Sequence, residues 1–217
     1  MKKEMKLLVL GLCLLVAFGV FTLLVMKVDV QAIGPEGSKV GLATINGAFR
    51  DLVGHNTHIY DLTEGMGYGV LMVAAAFCLL GLSQMLKNKS LKMDRELWYL
   101  VALYAVVMAC YVAFEFVVIN CRPVLMEGKL EASYPSSHTM LAVCIMGSAL
   151  IYLKKRIPCA RCRRIPALLG TLLMLAVVLG RTVSGVHWLT DILASLLLSG
   201  GLLALYAAAI EKEEKVC

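Results

Sequence analysis

Residues 165–191 read IPALLGTLLMLAVVLGRTVSGVHWLTD, an apolar run that stops at Arg181 and is followed by His187 and Asp191. The run 165–180 carries no charged side chain, and at about 1.5 Å per residue it makes about 24 Å of helix. The hydrocarbon core of a bilayer is about 30 Å thick. The stretch therefore predicts a near-spanning membrane helix with a polar cluster at one end.

Five other stretches have the same apolar character. Of the 217 residues, 60% are hydrophobic and 17% are charged, and the mean hydropathy is +0.81, which is too apolar for a soluble domain. The predicted spans cover about 7–26, 67–86, 98–119, 139–153, 165–180 and 188–210. We expect an all-α fold, a polytopic membrane bundle of six transmembrane helices, with residues 1–217 forming a single membrane domain.

The net charge of +6 is explained by where the basic residues lie. They cluster before the first span, after the second and after the fourth, namely at Lys2, Lys3, Lys6, Lys87, Lys89, Lys92, Arg95, Lys154, Lys155, Arg156, Arg161, Arg163 and Arg164. Threading six helices puts all three clusters on one side, so the positive-inside rule predicts a cell-membrane protein with both termini in the cytoplasm. The expected partners are the bilayer and its anionic headgroups rather than nucleic acid. The oligomeric state is left open.

Two features of the first third of the chain bear on this topology. The N-terminus resembles a signal peptide ending near Val30-Gln31-Ala32, but its apolar run is long, which favours a retained first span. The connection 27–66 is then extracytoplasmic. Its residues Ile45, Phe49 and Leu52 fall at helical spacing, which predicts a short helix lying in the membrane interface.

Three polar clusters lie at the edges of spans and, by this topology, on the extracytoplasmic face. They are Arg122-Pro123, Pro135-Ser136-Ser137-His138, and Arg181 with His187 and Asp191. From the basic ends of spans four and five, His138 and Arg181 lie about 24–26 Å along a helix, just below the headgroup layer. Charged groups are costly at that depth, so we expect one functional site.

The residue types in these clusters predict chemistry on phosphate. His187 and Asp191 are four residues apart, so the carboxylate can orient the imidazole as a nucleophile. His138 can act as general acid. Arg122 and Arg181 can neutralise a phosphoryl group without a metal ion or other cofactor. Ser136 and Ser137, at a helix start, offer hydroxyl and backbone N–H groups to phosphate oxygens.

These motifs together resemble the type 2 phosphatidic acid phosphatase family, the lipid phosphate phosphatases of membranes. The family pattern is Lys-x6-Arg-Pro, Pro-Ser-Gly-His and Ser-Arg-x5-His-x3-Asp, and this chain has the matching clusters in the same order over about residues 115–191. The resemblance implies a metal-independent hydrolase of a lipid phosphomonoester or pyrophosphate. Phosphatidic acid, phosphatidylglycerol phosphate and isoprenyl pyrophosphate are the candidate substrate classes. It also implies a phosphohistidine on His187.

Three positions depart from the family pattern. Ser137 replaces a glycine and Gly180 replaces a serine, and both are small substitutions. Glu115 stands where the family has a lysine, which reverses a phosphate-binding charge. We expect Glu115 to pair with Arg122 or Arg181, with Lys129 as a possible replacement cation.

Three other functions fit parts of the pattern. His138, His187, Asp191 and Glu115 could form a metal shell, although the two arginines would repel a cation. Ser184-Gly185 with His138 could form a serine protease site, although the usual preceding glycine is missing. A family member that binds or moves phospholipid without hydrolysis is the non-enzymatic alternative, motivated by Glu115.

Overall fold

Helices make up nearly all regular structure in the computed structural model, which describes residues 2–213. The α-helices are α1 (Lys3–Lys27), α2 (Ala43–Val53), α3 (Thr57–Asn88), α4 (Arg95–Phe116), α5 (Ser137–Arg156), α6 (Ala160–Val183) and α7 (Leu189–Glu213). Within this described range, β-pairing is limited to isolated bridges. All but α2 are long and apolar enough to cross a membrane. The predicted all-α bundle of six spans is therefore confirmed.

Helices α5 and α7 form the centre of the bundle. In their apolar windows 50% and 56% of the residues are buried, against 11–22% in the other four spanning helices. The outer helices keep large exposed side chains such as Val16, Leu79 and Leu169, as expected where a bilayer is the solvent. Helices α5 and α7, which carry His138 and Asp191, are thus the two spans with the most protein around them.

Helix α3 begins at Thr57, ten residues before the predicted span, so the predicted limits of the 27–66 connection are wrong. Hydropathy missed this part of the helix because residues 57–66 include polar and acidic side chains. Its start is set by Asn56, whose side-chain oxygen accepts a hydrogen bond from the backbone N–H of Ile59 at 3.0 Å, as N-cap residues do. The extension places Glu64 on a spanning helix.

The predicted short helix of the first connection is α2. Its N-terminus is held by Asp29, whose carbonyl and carboxylate accept hydrogen bonds from the backbone of Ala43 and Thr44 at 2.9 and 2.7 Å. Asn46 is fully buried and donates to the Thr190 hydroxyl at 3.0 Å. Helix α2 is therefore fixed to the start of α7.

The α6–α7 connection is packed closely against the α2–α3 turn. The backbone N–H of Asn56 donates to the carbonyl of Ser184 at 3.0 Å. Gly185 has φ of +71°, and a β-carbon there would lie 1.8 Å from the carbonyl oxygen of Gly54, so only glycine fits. This contact fixes the turn that carries His187.

The basic clusters lie at the end of the bundle opposite to the turn that carries His187. Lys3 pairs with Glu211, and Lys155 lies 3.1 Å from Glu96. Arg156 pairs with Glu96 at 3.0 Å. The end with the positive charges is therefore the end away from His138 and His187. Residues 214–217, where the C-terminus was predicted to be cytoplasmic, lie outside the described residues.

Candidate active site

Helix ends from three spans meet at one end of the bundle. His138 lies in the first turn of α5, Arg181 in the last turn of α6, and Asp191 in the first turn of α7. The 117–136 connection folds over them, because the backbone N–H of Ser133 donates to the carbonyl of Asn120 at 2.9 Å and Cys121 bridges to Ala132. Segments distant in sequence thus come together in one site.

The imidazole of His187 faces the carboxylate of Asp191. The ring is almost fully buried, and its Nδ1 lies 3.6 Å from Oδ2 of Asp191. That distance is beyond a formed hydrogen bond, and such contacts commonly tighten when substrate binds. Both ring nitrogen atoms of His187 are buried without a hydrogen-bond partner among residues 2–213. Because Nδ1 faces the Asp191 carboxylate, Nε2 is the nitrogen left open to another group.

Asp191 is itself positioned by two donors that the sequence did not indicate. The backbone N–H of Trp188 donates to Oδ2 at 3.0 Å, and the Asn120 amide donates to Oδ1 at 3.3 Å. Asn120 is buried, and no motif in the sequence marked it, because it reaches Asp191 only through the folded connection. A lone asparagine directly before Cys121 and Arg122 gave no usable signal.

The pKa of His187 is held below its ordinary value by burial, and the positive charges of Arg122 and Arg181 act in the same direction. Asp191 opposes them. The neutral imidazole, which has the free lone pair that a nucleophile needs, is therefore favoured at neutral pH.

The two arginines carry buried nitrogen atoms that have no hydrogen-bond partner. Over the described part of the chain they are Nε and Nη1 of each arginine, although Nε of Arg122 has the Glu131 carboxylate at 3.1 Å. Arg181 is completely buried, and its guanidinium lies over the Tyr60 ring at 4.7 Å. Leaving such donors unsatisfied costs about 1–3 kcal/mol each. The arrangement suits an anion that would accept these hydrogen bonds.

A carboxylate of α3 joins His138 to Arg181. Oε2 of Glu64 lies 3.2 Å from Nε2 of His138 and also accepts a hydrogen bond from Nη2 of Arg181. Sequence reasoning missed Glu64 because residues 57–66 were assigned to a loop. The sequence did contain one indication of its role, because Glu64 lies just before the apolar run 67–86, at the edge of a predicted span.

Comparisons with known proteins identify the family of this chain. The family model described as the PAP2 superfamily matches residues 96–215, more than half of the chain. The chain belongs to the PAP2 superfamily. The predicted membership of the type 2 phosphatidic acid phosphatase family is thereby confirmed.

A solved structure gives the same fold for nearly the whole PAP2 chain. The crystal structure of the first transmembrane PAP2 type phosphatidylglycerolphosphate phosphatase from Bacillus subtilis aligns with a TM-score of 0.63 at 16% sequence identity. The alignment covers 94% of this chain and 96% of that one. A comparison with curated protein sequences gives no significant match.

The expected pairing of Glu115 with Arg122 or Arg181 is wrong. Arg122 lies 3.1 Å from Glu131, Arg181 pairs with Glu64, and Glu115 makes no ion pair with either arginine in the described structure. The third span was predicted to reach residue 119, but α4 ends at Phe116. Arg122 instead lies in the connection, where its backbone N–H donates to the carbonyl of Glu131 at 2.9 Å.

Glu115 nevertheless remains in the site of this PAP2 protein. It is exposed and lines one pocket together with Tyr111, Arg122, Ser137 and His187. Lys129 lies at an exposed turn, where its backbone N–H donates to the carbonyl of Met126 at 2.8 Å. That turn does not bring Lys129 into the pocket lining.

The two serines before His138 have different surroundings. Ser136 is fully buried, and its hydroxyl donates to the Thr139 hydroxyl at 3.1 Å. Its carbonyl accepts a hydrogen bond from Ser195 at 2.8 Å. Ser137 lines the pocket that contains Arg122 and His187. Of the two predicted phosphate ligands, Ser137 is the one that faces the shared pocket.

The two rival hydrolase sites find little support in the geometry. The described residues contain no group of three or more His, Cys, Asp or Glu side chains placed to hold a metal ion. Ser184 is buried, and its hydroxyl donates to the carbonyl of Arg181 at 3.1 Å. That contact turns the hydroxyl towards its own helix end, so the Ser184–His138 pair that a serine protease site requires is not formed.

Replacing Asn120 tests whether the support of Asp191 matters. We expect Asn120→Ala to lower kcat for phosphate release on the order of 10²-fold, because a small misplacement of the nucleophile is costly. Steady-state kinetics in detergent measure this, with thermal unfolding as a check of folding. Asn88→Ala is the matched control, since Asn88 donates to Lys92 at the opposite end of the bundle. An unchanged kcat in Asn120→Ala would contradict the role.

Proposed function

We propose that this PAP2 protein is a membrane lipid phosphatase that hydrolyses a lipid phosphomonoester or pyrophosphate through a phosphohistidine on His187, without a metal ion. The observation that carries the proposal is the set of buried, unpartnered nitrogen atoms of Arg122, Arg181, His138 and His187. They belong to four different segments and act on one another electrostatically. The family and the fold support a lipid phosphatase.

The arginines would bind the phosphoryl group. The free Nη1 of Arg122 and the free Nε and Nη1 of Arg181 would donate to its non-bridging oxygens and neutralise charge that builds up in the transition state. Ser137 would add a hydroxyl or backbone N–H group at the start of α5, where the helix dipole also favours an anion.

The histidines would divide the chemistry. Nε2 of His187 attacks phosphorus as the bond from phosphorus to the lipid oxygen breaks, and His138 gives that oxygen a proton. Asp191 stabilises the positive charge that the phosphorylated imidazole acquires. In the second step His138 takes a proton from water, whose oxygen then forms the new bond to phosphorus and displaces Nε2. Phosphate leaves, and both histidines return to their starting states.

The extracytoplasmic face is proposed from the distribution of charge. The basic clusters lie at the end of the bundle opposite the site, and such clusters are retained on the cytoplasmic side. The site would then face outward at the headgroup layer, and residues 1–217 would act as a single membrane domain. A phosphatidylglycerolphosphate headgroup, named for the Bacillus subtilis protein, is the first substrate class to test.

A non-hydrolytic lipid-binding protein is the second candidate. Its support is Glu115, a carboxylate in the same pocket as Arg122 and His187, where it would repel a phosphate. The presence of the nucleophile, its orienting carboxylate and a proton donor in one site favours hydrolysis.

The decisive assay measures phosphate release in detergent from phosphatidylglycerol phosphate, phosphatidic acid and isoprenyl pyrophosphate, with a chelator present. We expect release that vanadate inhibits and that His187→Ala lowers by at least about 10³-fold. Glu115→Lys shows whether the acidic side chain selects among the three headgroups.

Three other outcomes of this assay would each contradict a different part of the proposal. Lipid binding without release by the native protein would support the non-hydrolytic candidate. Loss of activity on chelation would contradict metal independence, and unchanged release in His187→Ala would contradict the phosphohistidine.

The orientation is tested with an impermeant maleimide and peptide mapping. Lys39 is exposed in the α1–α2 connection at the site end, whereas Cys159 and Cys162 are exposed at the basic end. In Lys39→Cys we expect residue 39 to be labelled in intact cells and the two native cysteines only after permeabilisation. The reverse pattern would place the site in the cytoplasm.

A further inference from the structure

Glu64 contacts one specific ring nitrogen of His138, the proposed proton donor. Its Oε2 lies 3.2 Å from Nε2 of His138, so Nε2–H donates to the carboxylate. Nδ1 of His138 is buried without a hydrogen-bond partner in the described residues. Only Nδ1 is then free to exchange a proton with substrate.

The approach of α3 to this ring is allowed by a glycine. Gly67 lies one turn after Glu64, and a β-carbon there would come within 3.2 Å of Cδ2 and 3.6 Å of Nε2 of His138. That spacing is tight for a real side chain. Helix α3 is therefore shaped to place the Glu64 carboxylate against the imidazole.

The two histidines are held by opposite nitrogen atoms. In His187 it is Nδ1 that faces the Asp191 carboxylate, which leaves Nε2 free. In His138 it is Nε2 that faces the Glu64 carboxylate, which leaves Nδ1 free. The site thus contains two carboxylate–histidine pairs, contributed by different helices.

We propose that Glu64 is the positioning residue of the general acid, holding the His138 ring through Nε2 so that Nδ1–H is directed at the leaving group. This rests on the proposed phosphatase function and adds a residue to it. Glu64 itself touches neither phosphorus nor the leaving oxygen. It acts through His138, and it also orients Arg181.

The charges around His138 show why a carboxylate is needed. Burial of the ring is the largest influence and disfavours its charged form. Arg181 of α6, Arg122 of the 117–136 connection and His187 act in the same direction, and Glu64 of α3 is the acidic group that opposes them. Two guanidinium groups disfavour a protonated imidazole, whereas an opposite charge within about 4–6 Å favours it. Removing the charge of Glu64 would leave the ring facing positive groups alone.

The proton transfer balances with this arrangement. As Nε2 of His187 forms its bond to phosphorus and the bond from phosphorus to the lipid oxygen breaks, the Nδ1–H bond of His138 breaks and the proton passes to that oxygen. The His138 ring is then neutral and still donates Nε2–H to Glu64. In the second step Nδ1 accepts the proton of the attacking water, which restores the starting state.

The test compares leaving groups that do and do not need a proton. Glu64→Gln keeps an oxygen that can accept from Nε2–H but removes the charge. Hydrolysis of an alkyl lipid phosphate should fall about 10²-fold, while hydrolysis of 4-nitrophenyl phosphate should fall far less, because its leaving group departs as a stable anion. The alkaline limb of the pH–kcat profile should move down by about one pH unit, while the acid limb, assigned to His187, stays in place.

The matched control is Asp61→Asn, which removes the charge of an exposed acidic side chain one turn earlier on α3. It should change neither the hydrolysis rate of either substrate nor the pH–kcat profile. Glu64→Asp keeps the charge at a shorter reach and serves if Glu64→Gln does not fold, as thermal unfolding would show. It should also lose more activity on the alkyl than on the aryl phosphate.

Equal losses on both substrates, or no loss on either, would overturn the role of Glu64 and indicate a structural ion pair with Arg181. That result leaves the phosphohistidine proposal standing as long as His187→Ala is inactive. An active His187→Ala protein would instead remove the proposed function on which the inference rests.

Discussion

The site depends on burying positive charge that the protein itself does not fully compensate. Arg181 is completely enclosed at the end of a membrane helix, and only one of its three nitrogen atoms has a carboxylate partner among the described residues. Isolated charges are expensive to remove from water. An anion with several acceptor oxygens, such as a phosphate at the membrane surface, would satisfy these groups.

The fold keeps this arrangement rigid by linking helix ends through backbone and amide contacts. Asn120 fixes Asp191, Asn46 fixes the neighbouring Thr190, and Gly185 lets the α6–α7 turn press against the α2–α3 turn. Preorganised groups of this kind cost little reorganisation during the reaction. His138 and Asp191 lie at the starts of α5 and α7, the two most buried spans.

The sequence alone could predict the features that depend on local pattern. Six apolar runs were sufficient for the spans, and the four-residue spacing related His187, two residues before α7, to Asp191 in its first turn. Glu64 and Asn120 were missed because each reaches its partner only across the folded bundle. The Glu115 pairing failed for the same reason, because the chain leaves α4 at Phe116 and the folded connection brings Glu131 to Arg122 instead.

Whether His187 carries the phosphoryl group during turnover is tested most directly by trapping the intermediate and locating the phosphate. The protein is mixed with a labelled lipid phosphate, quenched rapidly at alkaline pH, and mapped by mass spectrometry and isomer-specific detection of phosphohistidine. We expect phosphate on His187, attached at Nε2, because Nδ1 faces Asp191. Phosphate on another residue, on Nδ1 of His187, or nowhere during turnover would contradict it.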